Sequence, residues 1–180
     1  MSSGSNIDLS TYDNSWYKPG GTVKRMLWYL VNHLVFNHPF FPISSMKVML
    51  LRAFGARIGS NVLIKPCVNI KYPWFLEIGN TTWIGEQVWI DNLGAVKIGS
   101  NVCISQAAML MSGNHNYKKA SFDLLVEPIV IEDGAWVGGQ SVLCPGVVMK
   151  VDSILTAGSV AVGQLNDRGI YKGNPAVLVK

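Results

Sequence analysis

From Ile58 onward an aliphatic residue returns at every sixth position. The chain reads "IGSNVL", "IKPCVN", "IKYPWF", then "IGNTTW", "IGEQVW", "IDNLGA", then "IGSNVC", "ISQAAM", "LMSGNH", and after an interruption "IEDGAW", "VGGQSV", "LCPGVV", "MKVDSI" and "LTAGSV". All fourteen hexads begin with Ile, Leu, Val or Met. On a helix a step of six residues leaves a net rotation of about 240°, which scatters the marked positions around the axis. In extended chain side chains alternate with a period of two, so every sixth residue faces the same side. The strands must be short, because each hexad has to turn. Gly59, Gly79, Gly85, Gly99 and Gly138 at second positions suit a tight bend with little room inside it. Three strands and three bends close a triangular coil, and stacked coils bury the aliphatic positions in continuous ladders. The predicted fold is mainly β, a parallel β-helix over residues 58–180. Extra pairs, Leu76–Glu77 and Val96–Lys97, separate the coils, and an excursion over 113–128 leaves the prism.

Residues 1–57 follow another pattern and read as an arm followed by helices. The first 20 residues, rich in Ser, Asn, Asp and Gly, predict a loosely ordered arm whose end Trp16 and Tyr17 can anchor. Thr22 is placed to cap a helix that ends near Asn37 at "NHPFFP". Ser44 or Ser45 is placed to cap a second, "SMKVMLLRAFGA", closed by Gly55. Met46, Met49, Leu50 and Phe54 fall at helical spacing and read as packing surface. The most apolar stretch, Met26 to Phe36, is interrupted by Asn32 and His33 and is shorter than the roughly 20 residues that span a bilayer. It reads as a packed or membrane-surface helix.

Composition narrows the class. A chain of 180 residues with 49% hydrophobic and 14% charged residues has a core for one domain plus an appendage, which excludes global disorder. The net charge of +4 comes without a basic run longer than a pair, so no nucleic-acid partner is expected. Cys67, Cys103 and Cys144 are odd in number and far apart, with no CxxC pair and no secretory leader. They read as reduced thiols in a cytoplasmic protein, without a disulfide or zinc framework.

The excursion carries His115, the single histidine of the repeat region. A loop projecting from a regular solenoid is a natural place for function, because the scaffold holds it while its sequence is free of packing duty. On residue chemistry alone, an idle surface histidine and a general base are both open. The segments "LSTYDNSW", "PWFLEIG", "VWIDNLG", "NVCISQ", "SFDLLVEPIVIEDGAWVG", "LTAGSVAV" and "YKGNPA" cover nearly the whole chain. In them the chain resembles the hexapeptide-repeat acyltransferases, and more narrowly the colanic-acid-type O-acetyltransferases, relatives of galactoside and maltose acetyltransferases.

That resemblance implies a left-handed parallel β-helix, a homotrimer, acetyl-CoA as acetyl donor without a metal, and a saccharide hydroxyl as acceptor in surface polysaccharide synthesis. It implies His115 as the general base that takes the hydroxyl proton as acetyl leaves the thioester, a task suited to imidazole near neutrality. Asp123, Glu127 or a backbone carbonyl can orient the ring. Asp91 and Asn92 of "IDNLG" are implied as acceptor contacts, with a plain turn as the competing reading. Asp13 and Asn14 are a weaker pair of the same kind. The coenzyme is expected along Trp136, Gly138, Gly139, Ala157, Gly158 and Ser159, with Lys172, Asn174 and Pro175 of "KGNPA" near its nucleotide end. The Gly139 N–H is a candidate donor to the thioester oxygen. Where several relatives carry a Thr-Lys pair that helps bind the coenzyme, this chain has Ala161, Val162, Gly163 and Gln164. Lys172 and Arg168 stay open as substitutes.

Other readings compete. An N-acyltransferase acting on an amino-sugar nucleotide is open, since no residue pattern selects oxygen over nitrogen. A metal-dependent hydratase would need three histidine ligands, against the one His115 here. A non-catalytic β-helix binding or assembly module would tolerate replacement of the His115 loop. Lys24 and Arg25 beside the apolar helix suggest a seat on the inner face of a membrane that holds a lipid-linked oligosaccharide acceptor. All three cysteines lie in the repeats without a neighbouring histidine, which favours direct transfer over an acyl-cysteine.

Overall fold

The computed structural model describes residues 7–180. From Arg57 the chain winds into a parallel β-solenoid whose strands stack coil upon coil in three faces. The first face holds six strands, from Arg57–Ile58 through Leu76–Ile78, Val96–Ile98, Ile129–Ile131 and Val148–Met149 to Gln164–Leu165. The second begins at Leu63–Ile64 and ends at Ile170–Gly173, against which Ala176–Leu178 folds back antiparallel. The third runs from Asn69–Ile70 to Val160–Ala161.

The fourteen marked aliphatic residues, Ile58 to Leu155, are all buried. The ladder continues past the recognised hexads, because Ala161 closes the fifth coil and Leu165 and Tyr171, buried in the same core, add a partial sixth. The extra pairs do not merely separate coils. Leu76, Val96 and Ile129 pair in register and lengthen three strands of the first face, adding one more buried rung.

The second-position glycines answer to packing between coils. A Cβ on Gly79 would lie 2.6 Å from the Gly99 carbonyl carbon, and one on Gly138 would lie 2.4 Å from the Ala157 nitrogen. The left-handed backbone falls instead on other residues, stacked at two corners: Asn61, Thr81 and Asn101 at φ 55–57°, and Cys67, Gln87 and Ala107 at 57–60°. Each coil therefore turns at a modest local cost of strain, which the stack above and below holds in place.

Two helices close the first coil. The first, α1, spans Thr22–Val31 and continues as a π-helical turn, Asn32–Phe36; the second, α2, spans Ser44–Ala53. Neither expected cap forms, because Gly21 and Ile43 occupy the N-cap positions and make no side-chain bond. The Ser44 hydroxyl is used on the solenoid, donating to the Val62 carbonyl and accepting from the Ile64 N–H. Lys47 Nζ donates to the Lys65 carbonyl at 2.7 Å, Trp28 Nε1 to Ile70 at 2.8 Å, and the Arg52 guanidinium to Ile58 and Gly59. The outward edge of the first coil would otherwise be an open row of unpaired peptide groups, and these side chains satisfy it.

Lys47 and Leu51 are the residues α2 buries, whereas Met46 and Met49, expected as packing surface, are exposed. Gly55, at φ +100°, ends α2 as expected. The arm is pinned rather than loose from Ile7 onward. The Asp8 N–H donates to Ala120 at 2.8 Å, the Tyr17 hydroxyl to Leu93 at 2.7 Å, and Trp74 Nε1 to Pro19 at 3.0 Å. Residues 1–6 of the arm lie outside the described residues. Among the described residues no helix is long and apolar enough to cross a membrane.

Candidate functional site

The excursion is a hairpin in which Gly113–His115 pairs antiparallel with Leu124–Val126. Ser112, fully buried, ties both ends of it down: its N–H donates to Asp91 and its carbonyl accepts from Glu127. His115, half-buried, faces Leu124 across the pair. Its Nδ1 lies 2.9 Å from the Phe122 carbonyl, and its ring stacks on the Phe122 ring at 4.4 Å and 3°. A carbonyl only accepts, so Nδ1 carries the proton and the neutral ring keeps its lone pair on Nε2. Phe122 reaches this position with φ 48°, an unusual conformation for a bulky residue, which turns its carbonyl toward the imidazole.

Of the alternatives for orienting the ring, the backbone carbonyl is the one the structure supplies. Asp123 is occupied by Lys119 Nζ and the Ser121 hydroxyl, at 2.9 and 2.6 Å, and these bonds hold its carboxyl below the usual range. The Glu127 carboxylate lies against Gly146. Tyr12, on the arm, brings its ring within 5.6 Å of His115. Asp13, one residue on, folds its carboxylate onto Ser15, and Asn14 closes a turn with Tyr17.

Asp91 and Asn92 part company. Asn92 is fully buried and spends its amide on Tyr72, accepting from the N–H at 3.0 Å and donating to the carbonyl at 2.6 Å. It presents nothing to a ligand in this fold, so its reading as an acceptor contact is corrected to a clasp between adjacent coils. Asp91 points into a cleft of about 580 Å³ between α1 and the solenoid, where Lys71 Nζ sits 2.8 Å from its Oδ1. Arg25, Tyr29, Tyr72 and Trp89 share that cleft. They were not singled out in the sequence as ligand contacts. The signal available was charge: between Asp13 and Glu77 the chain carries eight Lys or Arg and no Asp or Glu.

The residues assigned to the coenzyme form a strip over neighbouring coils. Gly139 and Gly158 sit at one corner, joined by a 2.9 Å bond from the Gly158 N–H to the Gly139 carbonyl, and no described group accepts from the Gly139 N–H. Trp136 is half-exposed and donates from Nε1 to Ser105 Oγ at 2.9 Å. Ala157 and Gly158 are exposed, and Lys172, Asn174 and Pro175 lie on the exposed C-terminal hairpin. Two members serve the scaffold. Gly138 is buried under the next coil, and Ser159 is buried with its hydroxyl between Thr156 and the Gly173 N–H. Arg168 pairs loosely with Asp152 at 3.6 Å on the surface. The cysteines are free, and burial pushes the Cys144 thiol up. Among the described residues no three His, Cys, Asp or Glu side chains gather where a metal ion could sit.

No protein-family model matches the chain. It is 34% identical over 164 residues to WcaF of Escherichia coli (strain K12), assigned as an acetyltransferase of colanic acid biosynthesis, covering 91% of this chain and 90% of that protein. The chain belongs to the colanic-acid-type acetyltransferases of the hexapeptide-repeat family. It is thereby an acyltransferase, and the solved structures agree in fold. A hexapeptide-repeat acetyltransferase of Vibrio cholerae O1 biovar eltor, complexed with acetyl coenzyme A, superposes with a TM-score of 0.78 at 20% identity over 88% of this chain and 86% of that one. A galactoside acetyltransferase in complex with coenzyme A superposes with 0.77 at 21% identity, over 88% and 80%.

Proposed function

We propose that this acetyltransferase moves acetyl from acetyl-CoA to a saccharide hydroxyl in surface polysaccharide synthesis, with His115 as the general base. The observation that carries the reading is the hydrogen bond from His115 Nδ1 to the Phe122 carbonyl, because it leaves Nε2 as the basic nitrogen of a ring held in one orientation. Nε2 takes the acceptor proton as the hydroxyl oxygen attacks the thioester carbonyl, the Gly139 N–H donates to the oxygen on which negative charge develops, and coenzyme A leaves. The pantetheine arm lies along the strip of Trp136, Gly139, Ala157 and Gly158, and the hairpin with Lys172, Asn174 and Pro175 meets the nucleotide. The acceptor enters through the cleft that Asp91 lines.

Trp83 and Trp136 stand 57% and 49% exposed on one flat solenoid face, which supports lateral assembly into a homotrimer with coenzyme sites between subunits. The outer surface of α1, α2 and the turn between them, with Val23, Met26, Leu30, Phe40 and Met49 exposed in a basic segment, supports a seat on the inner face of an anionic membrane that holds a lipid-linked acceptor.

The test is transfer of labelled acetyl from acetyl-CoA to a panel of sugars, amino-sugar nucleotides and lipid-linked oligosaccharides, read by mass. Ester products that disappear with His115→Ala support the reading. Amide products alone would replace it with N-acylation, and undiminished transfer by the variant would remove His115 from the chemistry.

A further inference from the structure

The cleft between α1 and the solenoid holds more positive charge than its own carboxylate neutralises. Asp91 faces two cations, Arg25 and Lys71, and Lys71 already sits 2.8 Å from it. Arg25 is left with no counter-charge there. Its Nη2 donates to the Thr22 hydroxyl at 3.2 Å, and its Nε is buried without any acceptor. Asp91 Oδ1, though ion-paired, also takes part in no directed hydrogen bond. These two atoms are the buried side-chain polar atoms left unpartnered among the described residues, and both belong to residues that line this one cleft. Asp91 is the one carboxylate in the lining of the cleft. A buried donor on a charged group is costly when unmet and strong when met by an anion.

The remaining lining completes a saccharide site. Tyr29, Tyr72 and Trp89 offer aromatic planes, and Asp91 offers an acceptor for sugar hydroxyls. Resting on the acceptor reading of the Asp91 cleft, we infer that this cleft binds an anionic group of the acceptor, a carboxylate or a phosphate, on the Arg25 guanidinium with Lys71 beside it. A guanidinium can present parallel N–H groups to a pair of oxygens, a geometry that a lysine cannot offer. Reach is consistent. The Tyr12 ring lies 5.6 Å from that of His115, and the Tyr17 hydroxyl donates to the Leu93 carbonyl, two residues along from Asp91. Four residues of arm lie between the two tyrosines, so their Cα atoms are at most about 18 Å apart, and an Asn14–Tyr17 turn shortens the path. The arm thus joins the His115 hairpin to the coil that carries Asp91 over a span of oligosaccharide length.

The test is calorimetric titration of the full chain, saturated with coenzyme A so that the coenzyme's own phosphate contacts are filled. The probes are a glucuronate-containing tetrasaccharide, its carboxyl-reduced counterpart, and inorganic diphosphate. One of the two anions is expected to bind tenfold or more tighter than the reduced sugar, and Arg25→Gln to abolish that advantage, with Arg25→Lys restoring only part of it. Preference for the glucuronate sugar identifies a carboxylate on the saccharide; preference for diphosphate identifies the carrier linkage. Equal binding of reduced and charged sugar with no diphosphate binding by the wild type overturns the inference, whatever the variants do. So does an advantage that survives both Arg25→Gln and Lys71→Gln. Acetyl transfer is scored separately. Transfer that requires His115 but ignores acceptor charge removes this inference alone, whereas Arg25-dependent anion binding without transfer to any sugar removes the O-acetyltransferase reading and leaves the anion site.

Discussion

At the scale of single residues, the histidine and the group that orients it come from different kinds of information. His115 stands out in the sequence by position and by resemblance, but no side-chain partner for it can be read there, since the acceptor of its Nδ1 is a peptide carbonyl seven residues away. Any residue at 122 has a carbonyl; only the hairpin and a φ of 48° aim it. His115→Ala should fold normally and lose about 10² to 10⁴ in rate with coenzyme affinity little changed, and a folded variant keeping more than about a tenth of the rate would be too active for a lost base. Phe122→Ala keeps the carbonyl but loses the stacked ring, and the freed imidazole should lower kcat about tenfold, because misplacement by an ångström is already costly. An unchanged kcat would mean the carbonyl alone holds the ring. Asn92 makes the opposite point: a polar side chain beside a candidate acid looked available, and the fold had already used both ends of its amide.

At the scale of elements, α1 and α2 are visible in the sequence as helices, and their purpose is not. Their apolar spacing suggests a packing face, yet the contacts that matter are polar side chains aimed at the open edge of the first coil. Lys47 is the extreme case, fully buried among apolar residues with its ammonium on the Lys65 carbonyl. Lys47→Ala should cost about 2–4 kcal/mol, from the lost stem and an unpaired carbonyl, measured by denaturant unfolding. Burial also pushes the Lys47 ammonium below its ordinary range. The unfolded chain then holds this proton where the folded chain has lost it, so stability rises with pH across the window from the lowered value to about 10.4, the ordinary lysine value. The stability difference between wild type and Lys47→Met should therefore shift in favour of wild type as pH climbs through that window; a flat or falling difference would show that the ammonium is better solvated than its burial implies.

At the scale of the whole molecule, one solenoid carries two half-exposed tryptophans on one face outside its core and a basic, apolar-faced cap at one end. Sedimentation is expected to give a trimer at working concentration, and a monomer throughout the concentration range would break the proposed intersubunit coenzyme site. Vesicles containing anionic lipid should bind the protein at low salt and release it as salt rises, since surface charges are screened over about 10 Å at 0.1 M. Failure to bind would assign the exposed helix faces to packing against protein. Initial-velocity lines for acetyl-CoA and acceptor should intersect, as a ternary complex requires; parallel lines would bring Cys67, Cys103 or Cys144 into the path.

The hexad period alone determined the solenoid, because a repeat that is a multiple of two and matches no helical stripe has one way to bury its aliphatic residues. It also marked the excursion with His115, since an insertion into a strict repeat has nowhere to go but outward. What the period could not carry was anything set by neighbouring coils or by distant segments meeting. The second-position glycines are required by the next coil's backbone, the partial sixth coil is filled by Tyr171 where the aliphatic pattern has lapsed, and Ser44, Lys47 and Arg52 are required by an edge that exists only once the coil has closed. Arg25, Lys71 and Asp91 lie far apart in sequence and meet in one cleft only because α1 folds across the first coils, which is why their charge imbalance is a property of the tertiary structure.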